Sequence, residues 1–107
     1  MIITIYHDGW KQVKGTCAFE MYGETFAAHK YQDSPDEKVR WTVSHVATGA
    51  SVLPAGYKGR SLPTSRLGAL TLAKSALEHR TAESVKAAIE RAKGRLAEQI
   101  EQYGEPK

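Results

Sequence analysis

The chain has 107 residues, 41% of them apolar and 25% charged, and fifteen Lys and Arg against twelve Asp and Glu give a formal net charge of +3. That length supports one hydrophobic core, and the composition excludes wholesale disorder. The single Cys17 excludes an intramolecular disulfide and a thiolate-rich zinc site within one chain, which points to a reducing compartment. The apolar start, Met1 to Tyr6, is short and has no basic flank. Neither a signal peptide nor a spanning helix is expected, so a cytoplasmic protein without a membrane partner is the reading.

The first half reads as strands. Ile2 to Tyr6 is a β-branched run ended by His7-Asp8-Gly9, and the segments Thr16 to Tyr22 and Thr25 to Tyr31 flank Gly23-Glu24, which predicts a two-residue hairpin turn. This turn would set Met21 opposite Phe26 and Phe19 opposite Ala28. Cys17, Phe19, Met21, Phe26 and Ala28 would then share an inner face, with Ala18, Glu20, Tyr22, Ala27 and His29 on an outer one. After the turn-forming Gln32 to Glu37, the segment Lys38 to Val46 alternates, with Val39, Trp41 and Val43 on one side and Arg40, Thr42 and Ser44 on the other. Pairing of Tyr31 near Lys38 would place small Ala28 opposite bulky Trp41. A short edge strand is expected around Ser51 to Leu53.

Residues 54–63 are rich in Gly and Pro and read as a surface connection. Helices follow. Thr64 or Ser65 can cap a helix carrying Leu67, Leu70, Ala73, Ala76 and Leu77, and Thr81 with Glu83 can open a second. In the second, Val85, Ile89, Ala92, Leu96, Ile100 and Tyr103 recur at spacings of three and four, and Gly104 is a natural stop. The roughly heptad spacing leaves a homodimer seam open. The segregation predicts one α+β domain over 1–107, mainly strands over 1–53, a loop over 54–63 and helices over 64–103. Its architecture would be an antiparallel β-meander with the two helices packed on one face.

Charge is distributed unevenly. From Lys38 to Leu77 there are six cations, Lys38, Arg40, Lys58, Arg60, Arg66 and Lys74, and no carboxylate, while the rest of the chain is net acidic. Such a window favours an anionic partner. Lys58 and Arg60 fall in the loop and Arg66 in a helical first turn, where peptide N–H groups already attract phosphate. His29, Tyr31, Lys38 and Arg40 are expected to gather on the outer sheet face, mixing an aromatic ring with cations as base-stacking platforms do. Gly56-Tyr57-Lys58-Gly59 matches the GxxG loop of KH domains, but that loop joins two helices and this one follows a strand.

No phosphate loop, dinucleotide fingerprint or zincin spacing is present, and the histidines, His7, His29, His45 and His79, are scattered. No catalytic residue, metal or cofactor is expected. Trp41-Thr42-Val43-Ser44-His45-Val46-Ala47-Thr48-Gly49, followed by a Gly/Pro loop and an Ala-rich helix, resembles small uncharacterised phage and prophage accessory proteins. The resemblance implies a protein that acts by binding host machinery, as anti-CRISPR proteins of this size class do. The residues themselves predict a non-enzymatic binding module for nucleic acid or an anionic nucleoprotein surface, with a phage inhibitor of a host protein as the alternative.

Overall fold

The computed structural model describes residues 1–6, 9–31, 38–53 and 61–105. Two antiparallel sheets precede two helices, an α+β fold. Strands β1 (Ile2–Tyr6) and β2 (Trp10–Lys14) form a hairpin, with Ile3 opposite Val13 and Tyr6 opposite Trp10. Strands β3 (Thr16–Met21), β4 (Glu24–Lys30) and β5 (Trp41–His45) form a three-stranded meander with β4 in the centre. In place of the expected short edge strand, Ser51 adds only an isolated bridge to Ser44.

The turn of the β3–β4 hairpin is Tyr22-Gly23, so Met21 faces Glu24 and Phe19 faces Phe26. Both turn residues have positive φ, 55° and 77°, the conformation whose twist matches a two-residue hairpin. Tyr22 is held there by its hydroxyl, 3.0 Å from the carbonyl oxygens of both Leu77 and Arg80, between which its one proton is shared. Similarly, Ala28 lies opposite Val43 and Trp41 opposite Lys30. Both registers differ from expectation by two residues, and because side chains alternate with period two, the faces within the paired strands are kept, whereas Tyr22, expected on the outer face, lies in the turn and packs against the main core. A bulge between Thr16 and Phe19 does change one face. Cys17, expected inside, takes φ 52° there and is exposed.

One face of the meander carries the main core. Phe26, Ala28 and Val43 pack under Ala69, Ala73 and Leu77 of helix α1 (Arg66–Glu78) and under Val85 and Ile89 of helix α2 (Ala82–Tyr103). Ala69 and Ala73 have no side chain beyond Cβ, which lets α1 lie close over β4 and β5. Phe19, Met21, Trp41 and Leu70 are half-buried at the margin of this core. Val39, expected on the inner face, precedes β5 and is 53% exposed.

The other face, expected to meet solvent, is covered by the β1–β2 hairpin. Ile3, Val13 and Ala27 form a second buried cluster, flanked by Ile5 and Val46. The fit is close. A Cβ on Gly15 would lie 2.9 Å from Ile3 Cδ1 and 3.2 Å from Ala27 Cβ, and one on Gly49, at φ 73°, would overlap the Thr4 carbonyl oxygen. Either glycine therefore marks a place where β1 comes too near for a larger residue.

Ser65 caps α1 by accepting from the Gly68 N–H at 3.0 Å, and Thr81 caps α2 by accepting from the Ser84 N–H at 3.0 Å. Only the first half of α2 is buried, through Val85, Ile89 and Ala92. Its far end is tied to the hairpin instead: Tyr103 stacks on Tyr6 with centroids 4.8 Å apart, and Trp10 Nε1 donates to the Gly104 carbonyl at 2.9 Å. Gly104 ends the helix at φ 82°. Among the described residues, no helix is long and apolar enough to cross a membrane.

Candidate polyanion-binding face

The structure disperses the cationic and aromatic group expected on the outer sheet face. His29 is 2% exposed, on the sheet face that β1–β2 covers at Ala27. Its Nδ1 lies 3.0 Å from the Lys30 carbonyl oxygen, which can only accept, so Nδ1 carries the proton and Nε2 accepts from the Ser44 hydroxyl at 2.8 Å. Burial pushes the imidazole pKa below its usual 6.5, and the hydrogen bond to Lys30 offsets part of that. His29 is thus a neutral internal cross-link between β4 and β5.

Arg40 is also buried, and its Nη1 donates to the Leu62 carbonyl at 2.8 Å. Beside it, the Trp41 N–H donates to the Pro63 carbonyl at 2.9 Å and the Tyr31 N–H to the Arg40 carbonyl at 2.8 Å. These bonds fasten the segment that leads into α1 along the start of β5. Arg40 therefore serves the fold, since a guanidinium engaged on a buried carbonyl is not presented to a ligand. Tyr31 is half-buried against the main core and Lys38 is exposed. Lys58 and Arg60 lie outside the described residues.

Arg66 stands where expected, exposed in the first turn of α1, which holds no acidic residue. Its Cζ lies 6.0 Å from the centre of the Trp41 ring, and Nη1 is 3.5 Å from Thr16 Oγ1. Eight residues on, about 12 Å along the helix axis, exposed Lys74 places Nζ 5.1 Å from the centre of Phe19. Each cation covers the margin of a half-buried ring, an interaction worth about 0.5–1 kcal/mol at an exposed site. Leu70 lies between them on the same helical face.

The outcome is a cationic strip along α1 and over β3, built on aromatic rings. Arg66 to Leu77 includes no carboxylate; Glu78 is the first. Lys74 is legible in the sequence as a member of the acid-free window, and so is its i, i+8 relation to Arg66, but its ring partner depends on the tertiary placement of β3. The strip can hold anionic groups by charge and by donors that need no protonation change, because Lys and Arg remain charged at neutral pH.

A second polar group has no counterpart among the sequence expectations. Buried His45 lies 2.8 Å from Thr48 Oγ1 through Nδ1 and 3.2 Å from Glu24 Oε2 through Nε2. A hydroxyl, an imidazole and a carboxylate in line resemble the parts of an acyl-transfer site. Here, however, the Thr48 oxygen also accepts the Ala50 N–H at 3.3 Å, and the Gly49 N–H donates to the His45 carbonyl at 2.7 Å. The group closes the turn that leaves β5 and pins it to the start of β4. Among the described residues, no three His, Cys, Asp or Glu side chains gather to hold a metal ion.

No protein-family model, curated protein or solved structure matches this chain. The reading of its function therefore rests on the residues and their arrangement.

Proposed function

We propose that the protein is a non-enzymatic cytoplasmic binding module that engages nucleic acid, or the anionic surface of a nucleoprotein complex, through α1 and the basic segment before it. The observation that carries this reading is the exposed Arg66–Lys74 strip, free of carboxylates over about three turns and seated on Trp41 and Phe19. Phosphates spaced along a backbone need such a row of fixed cations, and cations of this kind position a ligand without reading its sequence. Lys58 and Arg60 join the site from the sequence, where they precede Arg66 with no acidic neighbour. Lys38 adds an exposed cation from the same window.

The test is a fluorescence titration of single- and double-stranded DNA and RNA against salt. Binding should weaken steeply with salt, and Arg66→Glu with Lys74→Glu should lower affinity at least about tenfold at low salt. It should also flatten the salt slope by roughly 0.9 for each duplex-DNA phosphate that the variant no longer neutralises. Adding Lys58→Glu and Arg60→Glu should deepen the effect. Affinity and slope unaltered by all four reversals, in a chain that still melts as the parent does, would refute the site.

A second reading, an accessory inhibitor that occupies a host protein as the phage resemblance implies, is favoured by Leu67. This leucine is 74% exposed, a large apolar side chain left in solvent beside Arg66, and Arg is a residue type enriched in protein-binding hot spots. Capture of one host protein, abolished by Leu67→Asp and accompanied by no affinity for nucleic acid, would place this reading first.

A further inference from the structure

On the opposite side of α1 from the cationic strip's far end, the exit of β5 and the start of α2 enclose a cleft of about 630 Å³. Its apolar floor is made by Phe26, Leu53, Leu77, Val85 and Ile89. Small Ala76, Ala88 and Ala92 line the walls, and it is their lack of side-chain bulk that leaves the space. A cleft of this size and character is in the range that takes a small organic ligand.

The remaining lining is charged in one sense only. Arg80, Arg91 and Arg95 border the cleft, and among the described residues no carboxylate lines it, although α2 carries Glu83, Glu90, Glu98 and Glu101 elsewhere on its surface. Arg91 and Arg95 are one turn apart on the same helical side. Among the described residues neither has a carboxylate partner. Arg80 is held at the corner between the helices, with Nε 3.1 Å and Nη2 2.9 Å from Ser84 Oγ and Nη2 3.1 Å from the Ser84 carbonyl oxygen. His45, also in the lining, has both ring nitrogens engaged by Thr48 and Glu24 and offers a fixed wall.

Three guanidinium groups beside an apolar floor complement a molecule with an apolar body and an anionic head. We propose that the cleft binds a small amphipathic carboxylate, its hydrocarbon body over Leu53, Ala76 and Ala88 and its head between Arg91 and Arg95. A carboxylate suits two arginines because each planar fork can donate paired N–H groups to its two oxygens. This site is separate from the Arg66–Lys74 strip and does not depend on the polyanion reading.

Decanoate, kept below its micelle concentration, is the probe, with decanol as the same tail without charge and butyrate as the same head without the tail. Titration followed by calorimetry and by amide chemical shifts should give single-site saturation by decanoate, with shifts confined to Leu53, the end of α1 and residues 85–95. Arg91→Ala with Arg95→Ala should weaken decanoate at least about tenfold, the loss of roughly one charge-assisted hydrogen bond, and leave decanol unchanged. Ala88→Phe, which fills the cleft, should abolish binding of both. The double arginine variant alters exposed positions only, so it decides the matter even if Ala88→Phe does not fold. Butyrate binding as tightly as decanoate, decanoate affinity unmoved by the arginine variant, non-saturable shifts scattered over the surface, or a dimer of this chain that buries the cleft would each overturn the proposal.

Discussion

The two faces of the β3–β4–β5 sheet are covered by different means. On the helix side the core is built from large side chains, Phe26, Val43 and Leu77 among them, whose spacing follows the periods of strand and helix. On the hairpin side it consists of Ile3, Val13 and Ala27, with His29 and Ser44 hydrogen-bonded to each other beneath. A sheet face whose own residues are small and polar, as Ala27, His29 and Ser44 are, can therefore be buried when a second sheet brings Ile3 and Val13 over it and every polar atom finds a partner. Among the described residues, no buried side-chain nitrogen or oxygen lacks one.

The largest expected effects test whether both faces are true cores. Phe26→Ala on the helix side should cost about 3–5 kcal/mol, and Ile3→Ala on the hairpin side about 2–4 kcal/mol, since both side chains are fully enclosed. Denaturant unfolding of the two variants checks this. If Ile3→Ala costs under about 0.5 kcal/mol, as surface changes do, the hairpin is a loose cover and not a second core.

This contrast also explains what the sequence makes legible. The helices, their Ser65 and Thr81 caps and the Gly104 stop are readable because capping residues and a 3.6-residue stripe are local signals. The meander is readable too, since an error of two residues in register keeps regularly paired side chains on their faces, and only the bulge at Cys17 and the turn at Tyr22 escape it. Strand β2 is not, because only Val13 of Trp10–Lys14 is fully buried and its neighbours are Lys and Gln. Without β2 the outer face looks solvated, and its alternation groups His29 with Arg40 as ligand-facing side chains. Polar side chains in alternation carry the same pattern whether water or a second sheet lies over them. Arg66 is placed correctly because a helix start is a local feature, whereas the clustering of Arg80, Arg91 and Arg95 around a cleft needs the turn between α1 and α2.

A smaller effect should come from pH, and it singles out the hairpin-covered face. In the unfolded chain His29 takes up a proton near its ordinary value of 6.5, while in the fold burial holds its pKa lower. The unfolded state then binds more protons, so this group's contribution is fully present above pH 6.5 and is lost as pH falls through the folded pKa. Stability measured between pH 7 and pH 5 should decline, and His29→Asn should decline less across that interval than the parent. An imidazole titration by NMR that places His29 at or above 6.5 would mean that the fold does not shield it from water.

The smallest effect belongs to the tie between the two covers. The far half of α2 has no deep anchor: Leu96 and Ile100 are half-buried, and Tyr103 is 52% exposed on its stack with Tyr6. Tyr103→Ala removes that stack, a loss of about 0.5–1.5 kcal/mol at most for an aromatic pair, and the exposure puts the expected value at the low end. Global unfolding should hardly register it. Hydrogen exchange should, because the amides of the last two turns of α2 gain their protection from this stack and from the Trp10 bond to Gly104. The variant should exchange faster over residues 97–103 and unchanged over residues 85–92, where the helix rests on the main core. Equal acceleration along the whole helix would instead mean that α2 opens as one unit, and that the hairpin, through Tyr6 and Trp10, helps hold the helix over the sheet's other face.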